Sequence, residues 1–450
     1  MIRVFDRYIS VRNSVYFICE SLVVFTFIFW GTTSGYIARG GIEFYLIAAL
    51  LICQFSLYCS DLGLPVPRFS FNTFFWGHCR AFLGSALVVF LIFLLVPPPE
   101  TLWSPLGWRL VILPFLLIGL RLAYQAAVTI RRWDTTILII GSAPVAALIK
   151  NMVFYDRSLG YRAIHFRWDL TSPDTLAEEW GRLSSIVAEH QITTVLIALH
   201  DRRGQLPVES LLGLRILGVE VLDACSFYEK ISGRLLVQSL RPSNLIFGDG
   251  FCRPSPLRVS KRFLDVIFCI VGCVLAIPFF IILSILIKID SRGPVLYRQE
   301  RVGEKGKPFM LMKFRSMYED AEVKSGPIWA EKDDPRLTRV GRVMRGLRFD
   351  EIPQLINVLK GEMSLVGPRP ERPVFVERLR KTIPYYVLRL SVKPGLTGWA
   401  QVKYRYGATE KEALEKLEYD LYYIRHLSVL FDLTIIFETI RVVFTRSGAH

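Results

Sequence analysis

Asp350 and Glu351 are adjacent carboxylates in a stretch crowded with cations. Lys313 and Arg315 precede them in Lys313-Phe314-Arg315-Ser316-Met317, and Asp334-Pro335-Arg336 follows. Arg339, Arg342 and Arg345 then recur every three residues, a spacing that lines them along one helical face. Arg348-Phe349-Asp350-Glu351-Ile352-Pro353 opens a predicted helix that runs to Lys360 and stops at Gly361. After it, Gly367-Pro368-Arg369-Pro370 presents a single arginine on a rigid loop. Taken singly, each fragment is ordinary: an arginine row is a solvated face, Asp350 a helix cap, a Gly-Pro pair a turn. Together they describe a polyphosphate site. Guanidinium groups bind phosphate oxygens bidentately, lysines neutralise them, and a helix N-terminus adds backbone donors. Two carboxylates among such cations stay ionised at neutral pH. They can divide labour, one attacking phosphorus and the other holding Mg²⁺ against a diphosphate.

Something must hold these residues, and the composition says it includes a membrane. The 450 residues exceed one ordinary core. They are 52% hydrophobic yet carry 55 basic and 40 acidic side chains, so apolar and charged blocks are segregated. Apolar stretches at 14–36, 43–60, 79–96 and 108–130 each approach the ~20 residues that cross a bilayer, which predicts a four-helix transmembrane bundle over 1–133. Arg3, Arg7, Arg12, Arg68, Arg80, Arg131 and Arg132 flank it on one side, placing both ends of the bundle in the cytoplasm. Glu20 and Arg121 fall inside spans, where they either pair functionally or face the bundle interior. Residues 251–450 hold 34 Lys/Arg against 22 Asp/Glu, a surplus that suits phosphates or anionic headgroups. No nucleic-acid-binding motif accompanies it. The eight cysteines show no C-x-x-C pair, which argues against zinc and a disulfide framework.

Residues 134–250 read as a Rossmann-like α/β domain. Strands are predicted at 135–140, 194–198 and 219–222, with a helical pattern near 175–190. A nucleotide could sit on the turn at Gly141, but Ala143 and Ala146 replace the later glycines of the dinucleotide fingerprint, so a structural or regulatory module is the better reading. Residues 251–450 form the third domain, mainly helical. Its apolar run 263–287 has Lys261 and Arg262 before it, Lys288 after it and Pro278 in the middle. A re-entrant helix that turns back at Pro278 keeps every basic flank on one side, whereas a full crossing separates the third domain from the α/β domain. Residues 419–425 and 429–444 are amphipathic and either rest on the membrane or pack on the catalytic core.

Residues 261–449 resemble the catalytic domain of bacterial polyisoprenyl-phosphate hexose-1-phosphate transferases, the monotopic phosphoglycosyl transferases. The likeness rests on Lys261-Arg262-Phe263-Leu264-Asp265, residues 313–317, Asp334-Pro335-Arg336-Leu337-Thr338, residues 349–360, Met363-Ser364-Leu365-Val366-Gly367-Pro368-Arg369-Pro370 and residues 392–401. The bundle and α/β domain resemble the family's long form. The resemblance implies that Asp350 is the nucleophile of a phosphosugar-enzyme intermediate and that Glu351 helps bind Mg²⁺. It implies that Pro278 breaks the re-entrant helix, although Ile277 stands where a serine often precedes it. It places Lys313, Arg315, Arg336 and Arg369 on phosphate or nucleotide, and Lys261 and Arg262 at the lipid headgroups. It also implies a UDP-sugar donor, favouring glucose or galactose, an undecaprenyl phosphate acceptor, UMP release, and a multi-pass protein of the bacterial inner membrane with its catalytic domain cytoplasmic. The segment Tyr404-Arg405-Tyr406-Gly407-Ala408 departs from many relatives, which bears on sugar choice or is a loop variant. A homodimer would form through the central domain. Two other readings compete. A membrane-anchored nucleotide-sugar dehydratase or epimerase needs a Tyr-x-x-x-Lys pair, and no tyrosine here has lysine four positions on. A non-catalytic polysaccharide-export scaffold has no use for the Asp-Glu and Gly-Pro-Arg-Pro motifs.

Overall fold

The computed structural model describes residues 2–4, 7–9, 11–29, 103–129, 134–166, 185–199, 208–240, 242–246, 255–318, 334–404 and 409–445, with a few short stretches besides. The chain divides into two compact units, the first ending at Ser232 and the second running Gly233–His450.

In the first unit, helices α1 (Val11–Phe29) and α2 (Trp103–Thr129) pack together. They overlap the predicted spans at 14–36 and 108–130. Those at 43–60 and 79–96 lie outside the described residues, apart from short pieces. Glu20 and Arg121 are buried and both meet Tyr16, whose hydroxyl donates to Glu20 Oε1 at 3.1 Å while the guanidinium lies 5.2 Å from its ring centre.

The α/β layer is a four-stranded parallel sheet of β1 (Thr135–Ile140), β2 (Tyr161–Phe166), β3 (Thr194–Ile197) and β4 (Glu220–Asp223), in the order β2-β1-β3-β4. Strands β1 and β3 are continuous apolar runs because helices cover a parallel sheet. Helices α3 (Pro144–Tyr155), α4 (Val208–Ile216) and α5 (Ala224–Ser232) follow β1, β3 and β4. Strand β2 was not predicted: it lies at the sheet edge, and Arg162 and His165 break its apolar pattern. The predicted helix near 175–190 lies mostly outside the described residues. Gly141 turns at φ 109°, and a Cβ there would stand 2.4 Å from the Ala198 carbonyl oxygen. The glycine is thus accounted for by close packing between strand ends.

The second unit begins before the predicted boundary at 250. The Gly233 carbonyl accepts from Trp399 Nε1 at 2.8 Å, and Leu235 and Val237 join the core around Trp399, Tyr422, Tyr423 and Phe431. Helix α6 (Ser255–Asp290) is 36 residues long and runs through Pro278, so the proline does not end it. Among the described residues it is the one helix long and apolar enough to cross a membrane. One face packs on the second unit along both halves. Cys269 meets Leu311, Val358 and Met363, while Leu283 and Ile287 meet Phe314 and Met344. Phe263, Ile270, Val271, Val274, Leu275 and Ile281 are exposed.

Strands β5 (Leu296–Val302) and β6 (Pro308–Phe314) form an antiparallel hairpin. Helix α7 (Arg339–Gly346) starts at Thr338, whose hydroxyl accepts from Gly341 N at 3.0 Å. Helix α8 (Gln354–Lys360) ends on left-handed Gly361. Short parallel strands β7 (Ser364–Val366) and β8 (Gly395–Thr397) bring Gly367-Pro368 and Pro394-Gly395 side by side. Helix α9 (Pro373–Thr382) follows the first, and helix α10 (Trp399–Lys403) the second. Helix α11 (Glu410–Arg425) opens with a Thr409–Glu412 capping box, and α12 (Val429–Thr445) closes the chain. Leu421, Tyr422, Tyr423, Phe431 and Ile435 of these last helices are buried, which resolves the amphipathic pattern as packing on the core.

Candidate active site

Asp350 and Glu351 sit in one tight turn, Phe349–Glu351, ahead of α8. The turn is entered by Arg348 in the left-handed region at φ 57°, and Pro353 stands at the N-cap of α8. Neither carboxylate is a helix cap. The sequence reading put the pair at a helix N-terminus; a turn separates them from it. Phe349 anchors the turn by packing its ring 5.5 Å from that of Phe279, the residue after Pro278.

Lys313, near the end of β6, reaches Glu351 Oε1 at 3.4 Å, and Arg369 Nη2 donates to the same oxygen at 2.9 Å. Two predicted phosphate ligands thus converge on the carboxylate pair. The hairpin that carries Lys313 is fixed to α8 by Asn357, which is fully buried. Its Oδ1 accepts from Met312 N at 3.0 Å, and its Nδ2 donates to Met310 O at 2.8 Å and Glu362 Oε2 at 2.6 Å.

The pair is electrostatically split. Asp350 is only 6% exposed, and burial pushes its carboxyl above the usual range, with the Glu351 charge adding to the rise and Lys313 opposing it. Among the described residues no group donates a hydrogen bond to it. Burial also works against the Glu351 charge, but Arg369, Lys313 and Arg348 outweigh it and hold that carboxylate well below the usual range. Neighbouring carboxyls whose acidities are driven apart suit two different tasks. Asp350 is the more basic and less encumbered carboxylate; Glu351 is a fixed anion.

The other predicted residues do not join them. Arg315 is buried, and its guanidinium donates to Arg292 O at 2.8 Å, Ser291 O at 2.7 Å and Ser291 Oγ at 2.9 Å. It closes the C-terminal end of α6, where carbonyls lack helical partners, so its assignment to phosphate is revised. Arg336 closes on Asp334, with Nε donating to Oδ1 at 2.8 Å and Nη2 to Oδ2 at 2.5 Å. Lys261 and Arg262, expected at lipid headgroups, face inward. Lys261 Nζ bonds Asp432 Oδ2 at 2.6 Å and Val366 O at 3.0 Å, and Arg262 donates to Val358 O at 2.6 Å and Leu359 O at 2.8 Å.

Arg345 was noted only as part of an exposed row. Its Nε donates to Ser316 Oγ at 3.1 Å, and its charge bears on both Asp334 and Asp350. It is half-buried, whereas Arg339 and Arg342 are exposed. The three-residue spacing was the available signal, but it could not tell which arginine turns inward.

The bacterial sugar transferase family profile matches residues 257–446, the segment that carries this site. The exopolysaccharide production protein PSS of Rhizobium leguminosarum is 39% identical over 196 residues, 42% of this chain and 96% of that protein. The chain belongs to the bacterial sugar transferase family. A UDP-glucose:undecaprenyl-phosphate glucose-1-phosphate transferase of Caulobacter vibrioides is 40% identical to this bacterial sugar transferase over 43% of the chain and 72% of its own length. A UDP-N-acetylgalactosamine-undecaprenyl-phosphate N-acetylgalactosaminephosphotransferase of Aeromonas hydrophila is 42% identical over 223 residues, 49% of this chain and 52% of that protein. The match thus spans only about half the length of the Aeromonas relative.

Proposed function

We propose that this bacterial sugar transferase moves a sugar 1-phosphate from a UDP-sugar to undecaprenyl phosphate and so initiates an exopolysaccharide or related surface glycan. The single observation that carries the reading is the split carboxylate pair: Asp350 basic and without a hydrogen-bond donor among the described residues, Glu351 pinned by Lys313 and Arg369. An Asp350 oxygen attacks the sugar-linked phosphorus, the bond from that phosphorus to the bridging oxygen breaks, and UMP leaves with that oxygen. A phosphate oxygen of the lipid then attacks the phosphosugar-aspartate, and the bond to Asp350 breaks, restoring the carboxylate. Two bulky anions therefore need not occupy the site together. Lys313 and Arg369 already face this pair and offer the diphosphate its positive charge, with Arg345 beside Asp350. Arg336 would contribute one step further out.

Among the described residues no three His, Cys, Asp or Glu side chains converge to hold a metal alone. Glu351 would hold Mg²⁺ together with the diphosphate, because this ion typically takes one or two carboxylates plus substrate phosphates. When bound, it would neutralise charge on the leaving phosphate. The Aeromonas relative's name adds N-acetylgalactosamine to glucose and galactose as candidate sugars.

The membrane reading rests on α6. Its two halves both lie against the second unit and its exposed face is apolar, which supports a helix seated in the membrane; a kink at Pro278 would let it dip into one leaflet and keep both ends cytoplasmic. The 1–133 segment supplies further membrane anchorage in this reading.

The test is purified enzyme given UDP-sugars one at a time without lipid. Stoichiometric UMP release with covalent phosphosugar labelling is expected, abolished by Asp350→Asn. Labelling that survives Asp350→Asn would sink the nucleophile assignment, and a lipid requirement for any UMP release would sink the two-step route.

A further inference from the structure

Arg369 reaches Glu351 from a loop that cannot hold itself. Pro368 and Pro370 flank it, so two of the loop's peptides lack an N–H, and its carbonyls turn to donors elsewhere. The structure supplies those donors from distant parts of the second unit. Val366 O accepts from Lys261 Nζ and from the Tyr423 hydroxyl at 3.1 Å, and Pro368 O from Gly395 N at 2.9 Å. Arg369 O itself accepts from Arg389 Nη2 at 3.0 Å. Pro370 O accepts from Arg301 Nη1 at 3.1 Å, and Glu371 O from Val302 N at 3.0 Å. Arg389 is buried, donates to the Tyr386 hydroxyl at 2.6 Å and pairs with Asp420 Oδ2 at 2.9 Å. Asp420 is also buried, on α11, 51 positions along the chain from Arg369.

Such a pair is a costly way to stabilise a core, since desolvating two charges offsets most of their attraction and an apolar pair does as well. What an apolar pair cannot do is grip a particular carbonyl. We propose that Arg389, held by Asp420, and Arg301 are positioning residues for the transfer reaction: they fix the carbonyls of Arg369 and Pro370, and so aim the Arg369 guanidinium at the Asp350–Glu351 turn. The inference rests on the transferase reading and adds to it three residues that touch neither carboxylate.

A double-mutant cycle on the full chain tests it, with kcat/KM for UMP release as the readout. Arg389→Met is combined with Asp420→Asn, so that neither charge is left buried alone. Arg301→Met is a second, independent route to the same loop, and carries the cycle if the first variant does not fold. Each is expected to lower kcat/KM by about 100-fold in the wild-type background, the loss associated with a misplaced catalytic group. In the Arg369→Ala background each is expected to cost about 3-fold or less, because residues acting through one another are not additive. The same fold-loss in both backgrounds would assign the residues to stability alone and overturn the proposal, leaving the transferase reading intact. A wild-type chain that releases UMP from no UDP-sugar, with or without lipid, would overturn both.

Discussion

Two carboxyls that differ by one methylene and one position end with opposite acidities because of what surrounds each oxygen. Asp350 lies in the shelter of the turn with its proton affinity raised by burial and by Glu351, while Lys313 pulls it down. In the proposed reaction only the ionised form attacks, so the rate of UMP release is expected to fall as pH drops through the raised Asp350 value. Lys313→Met removes a positive neighbour and moves that acid limb to higher pH; Glu351→Gln removes a negative one and moves it to lower pH. Profiles of residual activity that shift together in one direction would contradict this electrostatic account. At this scale the sequence was legible where chemistry is local: adjacent acids, an arginine between prolines, a lysine in a short basic motif. It was silent on Arg315, because nothing in Lys-Phe-Arg-Ser-Met says that the arginine turns toward the end of an apolar helix more than twenty residues earlier. Arg389 sits in no motif at all, and its partner Asp420 becomes visible only once α11 has folded against it.

The elements matter through the stiffness with which they hold those side chains. Hairpin β5–β6 presents Lys313 from one side and α8 trails the acidic turn on the other, and Asn357 ties the two with hydrogen bonds to both strand backbone and Glu362. Asn357→Ala leaves the buried Met312 N without its acceptor, and Met310 O, at an exposed residue, without its donor. A loss of roughly 1–3 kcal/mol is expected, the cost of one buried group left unpaired. A chemical or thermal melt reads it directly, and an unchanged midpoint would mean that the two elements are held by packing alone. The asparagine reads in sequence as one more polar residue of a short amphipathic helix, whereas β1 and β3 were evident from their β-branched runs. Strand β2 was not, since an edge position tolerates the charges that disguise it.

At the scale of the whole molecule, α6 governs how the chain meets the bilayer. A helix continuous through Pro278 has length enough to cross, yet the second unit covers one side of it from Cys269 to Ile287. In the proposed re-entrant seating, that unit and both ends of α6 stay on one side of the bilayer. Single cysteines introduced at Ser255 and at Lys305, in a background with the native cysteines replaced, are therefore expected to react with an impermeant maleimide only after the inner membrane is breached. Labelling of one of them in intact spheroplasts would establish a full crossing. Segregation of apolar and charged blocks was plain from composition. The changeover between units was not, because Gly233, Leu235 and Val237 belong to the second unit through contacts with Trp399 and its neighbours, far down the chain.

One small feature has reach beyond the site. Gly367, Gly395 and Gly398 interlock so closely that a Cβ on any of them would come within 2.5 Å of a backbone atom. A saturation screen scored by surface-glycan production would therefore rank these three positions beside Asp350, and a reader of that ranking would count them as part of the catalytic apparatus. Protein abundance measured in the same library separates the two kinds of intolerance: the glycine variants vanish from the membrane fraction, while Asp350→Asn accumulates there in full and does nothing.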